Sequence, residues 1–202
     1  AIPSSVKLVG DRYNLDVRQR LALSRAACGD EDLAARLRLQ VTQADLAGRE
    51  LWIDGYNVLT TVEAALAGGV ILHARDGCFR DMASMHGSYR KVAETLPALQ
   101  LLGELLQGWQ VARCRWYLDQ PVSNSGRLKT ILEGLAREQG WNWQAELVRD
   151  PDAELIRASG IVVASADSQV VQHAGRWFNL ARAAVEQGVP AAWVIDLSGA
   201  PD

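Results

Sequence analysis

The stretch Glu50-Leu51-Trp52-Ile53-Asp54-Gly55-Tyr56-Asn57 constrains this chain more than any other. An apolar run that stops on Asp-Gly reads as a short buried strand that delivers a carboxylate at its carboxyl end, where open α/β sheets hold their ligands. Taken alone, D-G-x-N is also ordinary turn chemistry. Two later apolar runs end the same way. Val111 to Leu118 stops on Asp119, and Ile161-Val162-Val163-Ala164-Ser165-Ala166 stops on Asp167.

The rest of the chain supplies the connections. Leu15, Leu21, Leu23 and Cys28 lie on one face of a helix that ends at Gly29, and Asp30 caps a second helix with Leu33, Leu37 and Val41 inward. This hairpin makes residues 1–49 a helical region in front of an α/β domain over 50–202. Its arginines, Arg18, Arg20, Arg25, Arg36 and Arg38, read either as a solvated face or as a surface for nucleic-acid phosphates. Helical turns are expected over Thr60–Ala67, and a long helix runs from Met82 past a kink at Pro97 to Gly108. A further helix spans Leu128 to about Glu138, and another spans about Trp177 to Gln187. Trp141–Val148 alternates with period two and is the third strand, Ile161–Asp167 is the fourth, and Ala191–Asp196 is the fifth.

Five strands joined by helical connections predict an α/β fold, a parallel sheet with helices on both faces. Continuous apolar runs such as Ile161–Ala164 suit a sheet covered on both sides. In a parallel sheet all carboxyl ends share one edge. Asp54, Asp119 and Asp167 therefore project together, and Asp152, in the first turn of a helix opened by Pro151, starts beside them. Clustered carboxylates repel one another, and a divalent cation relieves the repulsion. With no compact His/Cys set, the expected ion is Mg²⁺ or Mn²⁺.

Charge agrees with this division of the chain. Residues 1–49 hold eight Lys and Arg against six Asp and Glu, whereas the remainder holds thirteen against eighteen. The three cysteines, Cys28, Cys78 and Cys114, show neither C-x-x-C spacing nor an even count, so the default setting is reducing and cytoplasmic. No apolar run approaches the length of a membrane span, and Ala1-Ile2-Pro3 lacks the features of a secretory leader.

Two segments carry candidate phosphate contacts. The stretch from His73 to Arg90 includes Arg75, Asp76, Arg80 and Asp81. It reads as a helix start with an Asp76 to Arg80 pair, or as a phosphate-gripping edge beside the acids. The loop Val122-Ser123-Asn124-Ser125-Gly126-Arg127 precedes a helix, so Ser123, Asn124 and Arg127 either cap that helix or meet an anion there.

The run Leu51-Trp52-Ile53-Asp54-Gly55-Tyr56-Asn57-Val58-Leu59 resembles the opening motif of the NYN branch of PIN-like ribonucleases. Pro151-Asp152-Ala153-Glu154, followed by Val162-Val163-Ala164-Ser165-Ala166-Asp167-Ser168, is similar to their second half, and Asp119 matches their middle acid. The likeness covers residues 50 to about 197. Asp167 stands one residue later than in the commonest T-S-D form, and the segment 68–90 is additional. The chain also resembles a group of uncharacterised prokaryotic proteins in which such a domain follows a short helical region.

The resemblance implies strand order 3-2-1-4-5, with Asp196 about 10 Å from Asp54 and outside the acidic group. It implies metal-dependent phosphodiester hydrolysis of RNA, with Asp54, Asp119, Asp152 and Asp167 as metal ligands and catalytic acids. Asn57, Arg75, Arg80, Ser123, Asn124 and Arg127 are then the substrate contacts. RNA is the expected partner, no membrane is involved, and self-association stays open. The alternatives are a non-catalytic RNA- or protein-binding module on the same fold, or an enzyme acting on nucleotides or small phosphorylated metabolites. G-x-G-x-x-G, G-x-x-x-x-G-K-[ST] and G-x-S-x-G are all absent, which disfavours dinucleotide, ATP and serine-hydrolase sites.

Overall fold

The computed structural model describes residues 2–82 and 91–199. The elements run α1 (Ile2–Arg12), α2 (Val17–Ala26), α3 (Asp30–Leu39), β1 (Glu50–Asp54), α4 (Gly55–Leu66), β2 (Val70–His73), β3 (Phe79–Asp81), α5 (Thr95–Gly108) and β4 (Arg113–Asp119). They continue with α6 (Ser125–Gln139), β5 (Trp143–Val148), α7 (Pro151–Ile156), β6 (Val162–Ala164), α8 (Ser168–His173), β7 (Arg176–Phe178), α9 (Leu180–Gly188) and β8 (Trp193–Asp196).

The main sheet has five parallel strands in the order β5-β4-β1-β6-β7, which in order of appearance is the expected 3-2-1-4-5. Alternation along the strands sorts side chains to two faces. Leu51, Ile53, Cys114, Trp116, Leu118 and Trp143 point into the larger core beneath α4, α5, α6 and α9. Tyr117 and Val163 face the other way, onto Leu155, Ala158, Val170 and Ala174. Among the described residues no helix is long and apolar enough to cross a membrane.

The fifth strand is not where the sequence pattern put it. Arg176–Phe178, expected at the start of a helix, is β7, and that helix begins only at Leu180. Trp193–Asp196 instead pairs parallel with β2 in a separate three-stranded sheet, β3-β2-β8. Asp196 therefore belongs to a different sheet from Asp54 and meets His73 Nδ1 at 3.2 Å. Residues 73–81 are a hairpin rather than a helix start. Asp76-Gly77 makes its turn, and Gly77 adopts φ +78°, a left-handed conformation that glycine accepts without a Cβ clash. The Asp76–Arg80 pair exists, but it spans this turn.

Three helical expectations change as well. The long helix begins at Thr95, with its expected first part over 83–90 lying outside the described residues. Pro97 is its third residue, in the first turn where a missing N–H costs nothing, and α5 runs on unbroken. Gly29, not Asp30, occupies the cap position of α3. The helix expected from Thr60 starts directly at Gly55, with no intervening turn.

The helical region is bound to the α/β body rather than tethered to it. Val41 N–H donates to Trp177 O at 2.8 Å, and Gly48 N–H to Gln110 O at 2.8 Å. Arg36, expected on a helix face turned away from the packed one, is buried, and its guanidinium meets Asp76 and Gln172. Its carbonyl accepts from the Trp177 indole at 2.9 Å. A helical wheel cannot distinguish a solvated arginine from one whose counter-ion comes from a distant segment.

Candidate active site

β1 ends on Asp54, and α4 begins at the next residue, so strand passes into helix without a loop. Such a junction needs a small residue, because a Cβ on Gly55 would lie 2.5 Å from Leu118 Cδ2 and 2.8 Å from the Tyr117 carbonyl oxygen. Asp119 closes the neighbouring strand β4. Asp167 follows β6 on the other side and accepts from the Gln169 and Val170 amides at 2.7 and 3.2 Å, which starts α8. Asp152 stands in the first turn of α7, which Asp150 caps through the Ala153 amide.

The four carboxylates line one polar cleft of about 430 Å³, together with Arg25, Asn57, Thr60, Thr61, Arg80 and Asp81. Asp54 is only 7% exposed, and its Oδ2 accepts from Ser165 Oγ at 2.7 Å. The same Ser165 oxygen accepts the Asp167 amide at 2.9 Å, so one hydroxyl ties two of the acids together. Asn57 Oδ1 accepts from the Ala166 amide at 2.8 Å and braces the segment between them. Its role in the fold is thus to hold the exit of β6 beside β1.

Burial pushes the Asp54 carboxyl up to about 7; the Ser165 hydrogen bond opposes the rise, and the charges of Asp152 and Asp167 add to it. Asp152 is raised to about 6, first by the protein around it and then by Asp167, Asp150 and Asp119. It lies at the open rim and is exposed to solvent, so its shift weighs less on stability than that of Asp54. Asp119 is raised too, chiefly by burial and with a contribution from Asp150. These groups resist being ionised together, and a bound cation favours their charged forms.

Among the described residues, no three Asp, Glu, His or Cys side chains are gathered closely enough to hold a metal ion as they stand. The side chains lining the cleft that could ligate a cation nonetheless offer oxygen alone, from Asp carboxylates and from Asn, Ser, Thr and Tyr, with no His or Cys among them. That set suits a hard cation such as Mg²⁺, which keeps several waters and takes one or two carboxylates directly.

The expected phosphate contacts fare unevenly. Arg80 lines the cleft, but its guanidinium is buried and bonded to Asp76, to Ala166 O and to Arg25 O. Arg75 points elsewhere, to Cys28 O and Asp30. Ser123, Asn124 and Arg127 are exposed and do not line the cleft. Asn124 takes a left-handed conformation at the start of α6, and the turn bond from the Ser125 amide to Val122 O is local.

Arg25 and Asp81 also line the cleft, as an ion pair that spacing along the chain does not single out. Arg25, from the last turn of α2, reaches in and pairs with Asp81, both at its backbone oxygen and at Oδ1. Asp81 in turn accepts from Thr60 and Thr61 at 3.2 Å each. The sequence places Arg25 on a basic face without showing what that face meets.

Residues 43–183 match the family described as Domain of unknown function (DUF5616), and residues 1–38 match the one described as Protein of unknown function (DUF434). The chain is 28% identical over 168 residues to Uncharacterized protein MJ0935 of Methanocaldococcus jannaschii, covering 83% of this chain and 79% of that protein. No solved structure matches it.

Proposed function

The chain belongs to the DUF5616 family, and because that description carries no activity we propose one from the cleft itself: metal-dependent phosphodiester hydrolysis, with RNA as substrate. The observation that carries this reading is the convergence of Asp54, Asp119, Asp152 and Asp167 on one polar cleft at the carboxyl edge of a parallel sheet. The preference for RNA rests on the resemblance of Leu51–Leu59 and of the Asp152 and Asp167 segments to NYN-type, PIN-like ribonucleases.

In this reading Asp54, Asp119, Asp152 and Asp167 would hold Mg²⁺ or Mn²⁺ at the carboxyl edge of the sheet. When bound, the ion supplies an acidified water and neutralises charge that develops on the phosphate. Ser165 orients Asp54 by donating to Oδ2. Arg25, oriented by Asp81, brings positive charge to the same cleft and takes the phosphate-gripping part expected of Arg75 and Arg80. Cys28, Cys78 and Cys114 are buried and unbridged, which suits a cytoplasmic protein.

A panel of labelled single-stranded and structured RNAs tests the reading. The full chain is expected to cut at least one of them in Mg²⁺ or Mn²⁺, and neither the chain in EDTA nor Asp167→Asn is expected to cut any. Turnover of mononucleotides without oligonucleotide cleavage would move the activity to small phosphorylated substrates. RNA binding that survives both metal removal and Asp167→Asn, with no turnover, would make the cleft a non-catalytic module.

A further inference from the structure

The hairpin between β2 and β3 places Asp76 in the protein interior, 1% exposed. Its Oδ2 accepts from Arg36 Nη1 at 2.5 Å and from Arg80 Nη2 at 2.7 Å, while its Oδ1 accepts from Arg80 Nη1 at 2.9 Å and from the Cys78 amide at 3.2 Å. Arg36 comes from the helical region and Arg80 from β3, and both are more than nine-tenths buried. Two guanidiniums thus converge on one carboxylate.

Their remaining donors point to a single short segment. Arg80 Nε donates to Ala166 O at 2.7 Å, and Arg36 Nη2 to Ser168 O at 3.3 Å. These are the carbonyls immediately before and after Asp167. Arg36 Nε also holds Gln172 Oε1 at 2.9 Å, on the helix that Asp167 caps. Arg80 Nη1 reaches Arg25 O at 2.9 Å, the backbone of the arginine that pairs with Asp81 in the cleft.

We propose that Asp76 is a positioning residue for the cleft: through Arg36 and Arg80 it clamps the backbone on either side of Asp167 and fixes where that carboxylate stands. The functional side of this inference rests on the reading of the cleft as a phosphodiesterase site. Guanidinium geometry suits the residue choice, since a rigid fork of several donors holds a carboxylate and a separate carbonyl in fixed directions. It also gives the helical region a part in the site, because Arg36 supplies half of the clamp from outside the α/β body. A buried ion pair is weak evidence of net stability, as desolvation offsets much of the attraction. What this one provides is a fixed register between three distant segments.

Hydrogen–deuterium exchange on the full, metal-free chain tests the clamp without reference to activity. The Asp167, Gln169 and Val170 amides, bonded to Ser165 Oγ and to Asp167 Oδ1, report the order of the segment directly. Asp76→Asn leaves two guanidiniums facing a neutral amide. Arg36→Lys keeps the charge but has one nitrogen where Arg36 uses three, on Gln172, Asp76 and Ser168 O, and it serves as the readout should Asp76→Asn fail to fold.

Exchange at the three amides is expected to quicken about tenfold or more in either variant, with β4 protection unchanged. On a cleaved RNA, kcat should fall about tenfold or more with little change in KM. Wild-type exchange at those amides in folded Arg36→Lys would overturn the clamp. If the wild type cuts no RNA, the functional reading falls alone, and the exchange rates still decide the clamp.

Discussion

Asp54→Asn is expected to give a protein that cleaves RNA about 10²–10³-fold more slowly yet is more stable than the wild type in metal-free buffer at pH 8. Both expectations start from one feature, a carboxylate buried in the interior, which the proposed reading pairs with an ion. The Asp54 carboxyl is raised by burial from 3.8 to about 7. Between those values the folded state keeps a proton that the unfolded chain has released, so stability falls as pH rises through this window and levels off above it. At 1.36 kcal/mol per pH unit the loss is at most about 4 kcal/mol. Asparagine cannot ionise and escapes it, while still offering an oxygen to Ser165.

Thermal unfolding in EDTA at pH 5 and pH 8 reads this out. The wild-type Tm should drop across the interval, and the Asp54→Asn Tm should drop less. Saturating Mn²⁺ should raise the wild-type Tm at pH 8 and raise that of the variant less, because the variant has lost one charged ligand. Loss of one such electrostatic contact at the reacting phosphate should lower kcat by about 10²–10³-fold. Parallel Tm curves for the two proteins would remove Asp54 from the argument.

Gly55→Ala should be the most damaging glycine substitution near the site. The added Cβ meets Leu118 Cδ2 at 2.5 Å and the Tyr117 carbonyl oxygen at 2.8 Å, and Leu118 is itself fully buried. Neither the backbone oxygen nor a packed leucine can give way freely. Overpacking of this kind costs about 1–3 kcal/mol, against about 0.5–1 kcal/mol that alanine gains over glycine within a helix. The clash therefore wins, and the shift it forces falls on Asp54 and Tyr56.

Gly126 and Gly134 of α6 provide the control, because a Cβ there meets nothing within 4 Å. Alanine at either should be neutral or stabilising by up to about 1 kcal/mol. Urea unfolding separates the cases, since Gly55→Ala should lower the midpoint while the α6 variants hold or raise it.

The acids of the cleft were legible for a simple reason. An apolar run that stops on Asp announces both a strand and the residue at its end, and a parallel sheet brings such ends to one edge. That logic placed Asp54, Asp119 and Asp167, and the Pro151-Asp152 helix start followed from it.

It failed where local pattern and tertiary pairing diverge. Trp193-Val194-Ile195 is as apolar as any core strand, yet it pairs with β2 and stays exposed on both faces. Arg176-Trp177-Phe178 is too short to show a period of its own, so the helical pattern behind it extends back to about Trp177. The Asp76-Gly77 dipeptide between two apolar runs was a usable hairpin signal. Arg36, Ser165 and Arg25 were different. Each is defined by a partner many residues away, which no spacing rule reports.

The proposed chemistry requires this cleft to hold a divalent cation. A calorimetric titration of the metal-free full chain with Mn²⁺ at pH 7.5 addresses it most directly, run beside Asp54→Asn and Asp152→Asn. Saturable binding is expected for the wild type, with at least about tenfold weaker binding to each variant, a loss of about 1.4 kcal/mol or more. Absence of saturable binding, or equal affinity in all three proteins, would contradict that requirement.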